Sequence, residues 1–203
     1  MPASVETAPL DRLLAGDEAA FLALVRRHGR SMRALARYHC GNDATADEIV
    51  QEAWVAILNG LRSFEGRSQL STWMMRIVAN RARSRAVREK RTVPLSAFAD
   101  EEGVAPDIDR FAPDGHWARP PQPWGDPERV FGNRELLRRL DRALAELPER
   151  QRAVVTLRDL EGLDPEEVCA LLDISEANQR VLLHRGRTSL RETLDQAITG
   201  GKP

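Results

Sequence analysis

Three consecutive side chains in the C-terminal third, Asn178, Gln179 and Arg180, carry the hydrogen-bonding groups that read base edges in a DNA groove. An amide pairs with the edge of adenine, and a guanidinium with that of guanine. His184, Arg185 and Arg187 follow on the same predicted helix, the two arginines better placed for phosphates than for bases. A second concentration of charge lies between Arg62 and Arg91, where nine Lys and Arg residues face only Glu65 and Glu89. Within it Arg76, Asn80, Arg83 and Lys90 fall on one face at helical spacing. That is the electrostatic footprint of a polyanion partner. No catalytic constellation accompanies these groups. His28, His39, His116 and His184 have no metal-ligand spacing, and Cys40 and Cys169 belong to no CxxC pair. Neither a metal nor a cofactor nor an enzymatic activity is expected.

The loop before the basic stretch, Ser63-Phe64-Glu65-Gly66-Arg67-Ser68, combines an aromatic ring, an acid, a glycine hinge and hydroxyls. Such a set can hold an unstacked base and hydrogen-bond its edge. Alone it is a weak signal, because a plain helix-helix connection has the same composition.

Helices must position all of these residues. Of 203 residues, 30% are charged and 5% aromatic, which suits thin apolar stripes on helices better than a sheet. Phe21, Leu24, Val25, Met32 and Leu35 recur at helical spacing, and Gly41-Asn42-Asp43 then breaks the chain. Thr45-Ala46-Asp47-Glu48 reads as a capping box opening the next helix. One face of that helix carries Ile49, Val50, Ala53, Trp54, Ile57 and Leu61, and the other carries Asp47, Glu48, Gln51 and Glu52. A third helix is expected from near Ser68, with Leu70, Trp73, Met74, Ile77 and Val78 as its apolar face.

Between about Thr92 and Gly125 six prolines and a run of acids replace the apolar pattern, apart from Trp117 and Trp124. So few apolar residues do not offset the entropy of ordering such a stretch, which reads as a flexible linker. Helices resume at Asp126, with a stripe of Leu136, Leu137, Leu140, Leu144 and Leu147 and with Pro148 as a first helical residue. Asp164-Pro165-Glu166-Glu167 is a strong helix start. From Glu166 to Arg187 the arrangement is that of a helix-turn-helix. Cys169 stands at the close approach, Asp173 at the turn, Ile174 in the core, and Ser175 as cap of the second helix. An ordinary helical hairpin with a solvated basic face would share the charge pattern but not the caps and turn.

The fold expected is therefore all-α: two small helical domains, residues 10–91 and 127–196, joined by an acidic, Pro-rich linker over 92–126 and followed by a disordered tail over 197–203. No run approaches 18 apolar residues and Met1 to Thr7 lacks a signal pattern, so a cytoplasmic protein without membrane insertion is expected. The net charge of −1 excludes a simple polycation.

Taken together these segments resemble the extracytoplasmic-function sigma factors of the sigma-70 family. Asp47-Glu48-Ile49-Val50-Gln51-Glu52-Ala53-Trp54 resembles the region 2 helix that binds the clamp helices of the polymerase largest subunit. Phe64 to Ser68, Ser71-Thr72-Trp73 and Ile77 to Arg83 resemble the part that opens and reads the −10 element. Leu147 to Arg152 and the helix-turn-helix resemble region 4, which reads the −35 element.

The resemblance implies core-polymerase contacts at Asp47, Glu48, Val50, Gln51, Glu52 and Trp54. It implies −10 contacts at Phe64, Glu65, Arg67, Ser68, Trp73, Arg76, Asn80, Arg81 and Arg83, and −35 contacts at Ser175, Asn178, Gln179, Arg180, His184, Arg185 and Arg187. Core RNA polymerase (including the flap of its second subunit), promoter DNA and a cognate anti-sigma factor are the implied partners. The implied location is the nucleoid, or the membrane when an anti-sigma factor holds the chain there. Two departures stand out: Asp173 where a glycine is usual, and Gln179 where a β-branched residue is usual. A stand-alone helix-turn-helix regulator and a sigma-like adaptor are the alternatives.

Overall fold

The structure is a computed structural model that describes residues 7–88 and 134–199. Among these residues all regular structure is helical, as the sequence predicts. The linker, its two tryptophans and the expected restart at Asp126 lie outside the described residues.

The first head is built from α1 (Thr7–Leu14), α2 (Glu18–Cys40), α3 (Asp43–Gly60) and α4 (Leu70–Arg88). Its core is an interleaved layer of Met32, Leu35, Ile49, Ile57, Met74, Met75 and Val78, all sealed from solvent. Met75, Ala79 and Ala82 are buried, whereas Trp73 and Ile77 are only partly so. The buried face of α4 is thus rotated from the expected one, because this helix packs on α2 and α3 and also meets the second head.

Asp17 opens α2, its carboxylate accepting the Ala20 amide at 3.0 Å. Gly41 closes it at φ 64°, the left-handed conformation that glycine adopts without strain. The cap of α3 is Asn42 rather than Thr45: its Oδ1 accepts the Thr45 amide at 3.1 Å, so the helix begins at Asp43. Asparagine at this position competes directly for the free N–H groups that Thr45 would otherwise cap.

The second head comprises α5 (Arg134–Glu146), α6 (Glu149–Val155), a π-helical turn over Thr156–Leu160, α7 (Pro165–Leu172) and α8 (Glu176–Thr199). Pro148 caps α6 from outside instead of forming its first residue. Asp164, Pro165 and Glu167 open α7 as predicted, with the Glu167 carboxylate accepting the Asp164 amide at 3.3 Å. Helix α8 runs to Thr199, into the stretch expected to be a tail.

The sequence gives no sign of how closely α6 and α8 cross. A Cβ added to Gly186 would lie 2.6 Å from Cγ2 of Val155, so only glycine fits this crossing.

The two heads do not stand apart. Helix α2 packs on α6, α7 and the π-helical turn, and α4 packs on α7. At this seam the partly buried His39 has Nε2 2.9 Å from the Leu171 carbonyl, so this nitrogen carries the proton and donates.

Burial, aided by the nearby Arg83 charge, lowers His39 to about 4, against the opposing pull of the Leu171 carbonyl and Asp173. A base with a depressed value binds fewer protons folded than unfolded. Its contribution is complete above the ordinary value of 6.5 and is lost as pH falls toward 4. Urea unfolding at pH 7 and pH 5 should therefore show a loss of about 2 kcal/mol at the lower pH. His39→Gln, which keeps a donor without the titration, should lack that portion of the loss.

Candidate nucleic-acid interface

In the second head the turn between α7 and α8 carries the geometry a groove-reading helix requires. Asp173 sits at φ 56° and ψ 51°, the left-handed conformation of the turn, tolerated by Asp better than by most residues. Ser175 Oγ accepts the Asn178 amide at 3.3 Å, capping α8. The first turns of α8 therefore project with Ser175 and Arg180 exposed and Asn178 partly exposed. Partly exposed His184 has Nδ1 3.1 Å from the Thr188 hydroxyl, one helical turn on.

Two of the expected −35 residues are placed otherwise. Gln179 is 2% exposed, and its Nε2 has no hydrogen-bond partner. It lies three and four residues before the buried Leu182 and Leu183, so helix periodicity turns it into the core. It is not a base reader in this arrangement. Arg187 is held by Asp159 at 2.5 and 3.0 Å, clamping α8 to the π-helical turn.

The Gln179 site carries a cost: a buried amide donor without an acceptor destabilises by about 1–3 kcal/mol. Gln179→Val should accordingly raise the unfolding free energy measured in urea by an amount in that range, with promoter recognition unchanged. A fall in stability would place an acceptor on Nε2.

In the first head, α3 and α4 lie side by side, and their charged faces pair. Arg85 reaches Glu48 at 2.5 Å and Glu52 at 3.8 Å, Arg81 reaches Glu52 at 3.2 Å, and from α2 Arg33 reaches Asp47 at 2.6 Å. The acidic surface expected to meet polymerase is thus exposed but already paired. Gln51 is exposed beside it, with Val50 and Trp54 partly buried. Trp54 is set by an edge contact with Phe21, ring centroids 5.6 Å apart. Between α3 and α4 a groove of about 370 Å³ brings Glu52 together with Ile77, Asn80 and Arg81.

The loop after α3 begins with a 3-10 turn over Leu61–Ser63. Phe64 packs on Trp73 with centroids 5.2 Å apart, so these two aromatics anchor the loop to α4. Glu65 and Arg67 remain exposed and pair at 2.8 Å, while Gly66 takes the left-handed conformation at φ 68°. Ser68 is partly exposed and Arg76 is exposed. Arg83 departs furthest from expectation: it binds backbone carbonyls of the second head.

Among the described residues no cluster of His, Cys, Asp and Glu could hold a metal ion, and no helix is long and apolar enough to cross a membrane.

Comparison with known proteins addresses the chain as a whole. Residues 24–92 match the family model of sigma-70 region 2, and residues 137–190 that of sigma-70 region 4. The chain is 31% identical over 190 residues to the ECF RNA polymerase sigma-E factor of Escherichia coli K12, covering 93% of this chain and 94% of that one. It is 28% identical to the corresponding factor of Haemophilus influenzae, with 93% and 95% covered. Among solved structures it is similar to the sigma factor RpoE in complex with the anti-sigma factor NepR from Bartonella quintana. That match has 22% identity and a TM-score of 0.44, and it covers 86% of this chain and 96% of that chain. The 31% identity to the Escherichia coli factor across nearly the full length of both chains, with regions 2 and 4 falling on the first and second heads, is decisive. This chain belongs to the extracytoplasmic-function sigma factors of the sigma-70 family, non-enzymatic proteins that direct promoter-specific transcription.

Proposed function

We propose that the first head docks on the clamp helices of core RNA polymerase through Asp47, Glu48, Gln51 and Glu52, with Val50 and Trp54 supporting that face from beneath. The second head meets the flap of the second subunit and places Asn178, Arg180 and His184 in the −35 major groove, with Ser175 and Arg185 toward the phosphates. Glu65, Arg67 and Ser68, on a loop anchored by Phe64 and Trp73, receive a base flipped from the −10 element. Arg76, Asn80, Arg81 and Arg83 hold the adjoining strand.

The observation that carries this reading is the exposed, capped N-terminal end of α8 behind a left-handed turn, in a chain whose other head bears a basic helix. Flipping a base costs a few kcal/mol, and each good base contact contributes about 1–3 kcal/mol. Neither head alone offsets that cost by a wide margin, so affinity arises when both are tethered to polymerase. A stand-alone operator-binding regulator would leave the first head without a task. The site of action is the cytoplasm, at the nucleoid, with an anti-sigma factor as the antagonist that can hold the chain at the membrane.

Run-off transcription with purified core enzyme and genomic fragments tests the proposal: discrete start sites that require this protein are expected. Core binding without any initiation would instead identify an adaptor. Tight operator binding without polymerase would identify a conventional regulator.

A further inference from the structure

Two rows of side chains, each spaced four residues apart, meet where α3 lies against α4. Glu48, Glu52 and Ala56 come from α3, and Arg85, Arg81 and Ile77 come from α4, in antiparallel order. Arg85 contacts Glu48 at 2.5 Å and Glu52 at 3.8 Å, and Arg81 contacts Glu52 at 3.2 Å. Ala56 and Ile77 continue the two rows into the groove of about 370 Å³, which Asn80, Ser84 and Arg88 also line. Those three belong to the exposed row of α4 that begins at Arg76. Arg81 and Arg85 are therefore immediate neighbours of the surface assigned to the −10 strand. Arg85 has no place in the contacts proposed above, and Arg81 is already occupied.

The order of exposure matters. Glu48 and Glu52 are 58% and 47% exposed, against 28% for Arg85 and 38% for Arg81. The carboxylates stand outward, where a partner on α3 meets them first, and the guanidiniums lie behind. Glu52 already serves two guanidiniums, and a carboxylate has a limited set of acceptor positions. Basic groups of a docked partner must compete with Arg81 and Arg85 for it. The exchange is cheap, because exposed pairs of this kind contribute little on their own. Once the carboxylates are taken, the two guanidiniums need new counter-charges, and the phosphates of a bound strand beside Asn80 supply them.

We propose that Arg81 and Arg85 are strand-binding residues masked in the free protein by Glu48 and Glu52, and unmasked when a basic surface docks on α3. The proposal rests on the docking and promoter reading above and adds to it a linkage inside the first head. Linkage is reciprocal. Core polymerase should tighten the hold on the −10 strand, and a bound strand should tighten the hold on core polymerase by the same factor.

A fluorescein-labelled (dT)12 oligonucleotide probes the masked state, because backbone contacts carry no base sequence. Without polymerase, full-length Glu48→Gln/Glu52→Gln should bind it about tenfold more tightly than the wild type, and more steeply with salt. Two added phosphate contacts, at about 0.7 each for a single strand, change the logarithmic salt slope by about 1.4. Removing two acids also acts through the general field, so the same changes are repeated in an Arg81→Gln/Arg85→Gln background. There the gain should fall below about twofold, since the groups that were unmasked are absent. An undiminished gain in that background, or no gain in the wild-type background, overturns the proposal. Glu52→Gln alone removes the acid that Arg81 contacts and guards against misfolding of the multiple variants. It should give about half of the slope change, and an unchanged slope counts against the masking of Arg81.

Reactions with polymerase separate this proposal from the reading on which it rests. In run-off transcription Arg85→Gln should lower initiation about fivefold, whereas its co-purification with core enzyme should not weaken. Equal initiation by Arg85→Gln and the wild type removes Arg85 from the strand site and leaves the promoter reading intact. No initiation by any preparation, with the (dT)12 results as expected, removes the promoter reading while the masking stands.

Discussion

Replacing Arg180 by alanine is expected to lower initiation at the cognate promoter about tenfold to a hundredfold, by an amount that depends on the −35 sequence. Arg180 is exposed on the first turns of α8, beyond the cap formed by Ser175 on the Asn178 amide. A guanidinium at that end of a recognition helix meets the edge of guanine through two hydrogen bonds, and one such pair discriminates by about 1–3 kcal/mol.

The informative measurement is a set of run-off reactions on promoters that differ only in the −35 element. With arginine present, a change at the contacted base pair should reduce initiation sharply. With alanine, the same change should have little further effect, because the group that discriminated is gone. A uniform reduction across all −35 variants would instead make Arg180 a phosphate contact, and the salt dependence of binding should then flatten by about one ion. Asn178 and His184, only partly exposed, should show smaller and equally position-dependent effects.

The contrast between Arg180 and its neighbour shows what could be read without the fold. Both carry groups suited to bases, and composition alone admits both. Periodicity separates them: Gln179, Leu182, Leu183 and Gly186 form an i, i+3, i+4, i+7 series, and all four are buried. The apolar members of that series were visible in the sequence. The polar member is ambiguous by residue type, because an amide suits a base edge as readily as a place among core side chains.

Strong local signals were legible elsewhere. Asp164 to Glu167, Asp173 and Ser175 each determine a cap or turn through atoms within four residues, so tertiary context has little power to change them. Asn42, one residue after a glycine, competes with a Thr-x-x-Glu motif that matches a capping box yet lies inside the helix.

Long-range features were less accessible. The Gly186 crossing, the Asp159–Arg187 brace and the π-helical turn depend on how α6 and α8 meet, and no spacing in the sequence encodes that distance. The seam between heads was hidden for a related reason. Arg83 lies in a stretch with a clear cationic excess, and that excess points equally to phosphates and to the carbonyl end of a helix. Both are clusters of partial or full negative charge.

Charge reversal at Glu52 should abolish stable association with core polymerase, and the present pairing of that residue determines how the result is to be interpreted. Glu52 lies on the exposed side of α3 and contacts Arg81 at 3.2 Å and Arg85 at 3.8 Å. Exposed pairs of this kind contribute only about 0–1 kcal/mol, so Glu52→Lys should leave the melting temperature within a few degrees of the wild type. At an interface with a basic partner the same substitution has a much larger consequence. A lysine there adds a like-charge contact that costs several kcal/mol, which corresponds to a weakening of a hundredfold or more.

Co-purification with core enzyme and a thermal melt, run on the same preparation, separate docking from folding. Loss of association with an intact melt identifies α3 as the docking face. Undiminished association removes Glu52 from the interface and shifts attention along the helix to Gln51 and Trp54. Loss of both would show that the α3–α4 pairing carries more of the first head's stability than exposed ion pairs ordinarily do. Glu52→Gln, which removes the charge without reversing it, should then fall between the two in the melt while retaining measurable binding. That ordering is required if electrostatic complementarity, rather than the shape of α3, governs the encounter with polymerase.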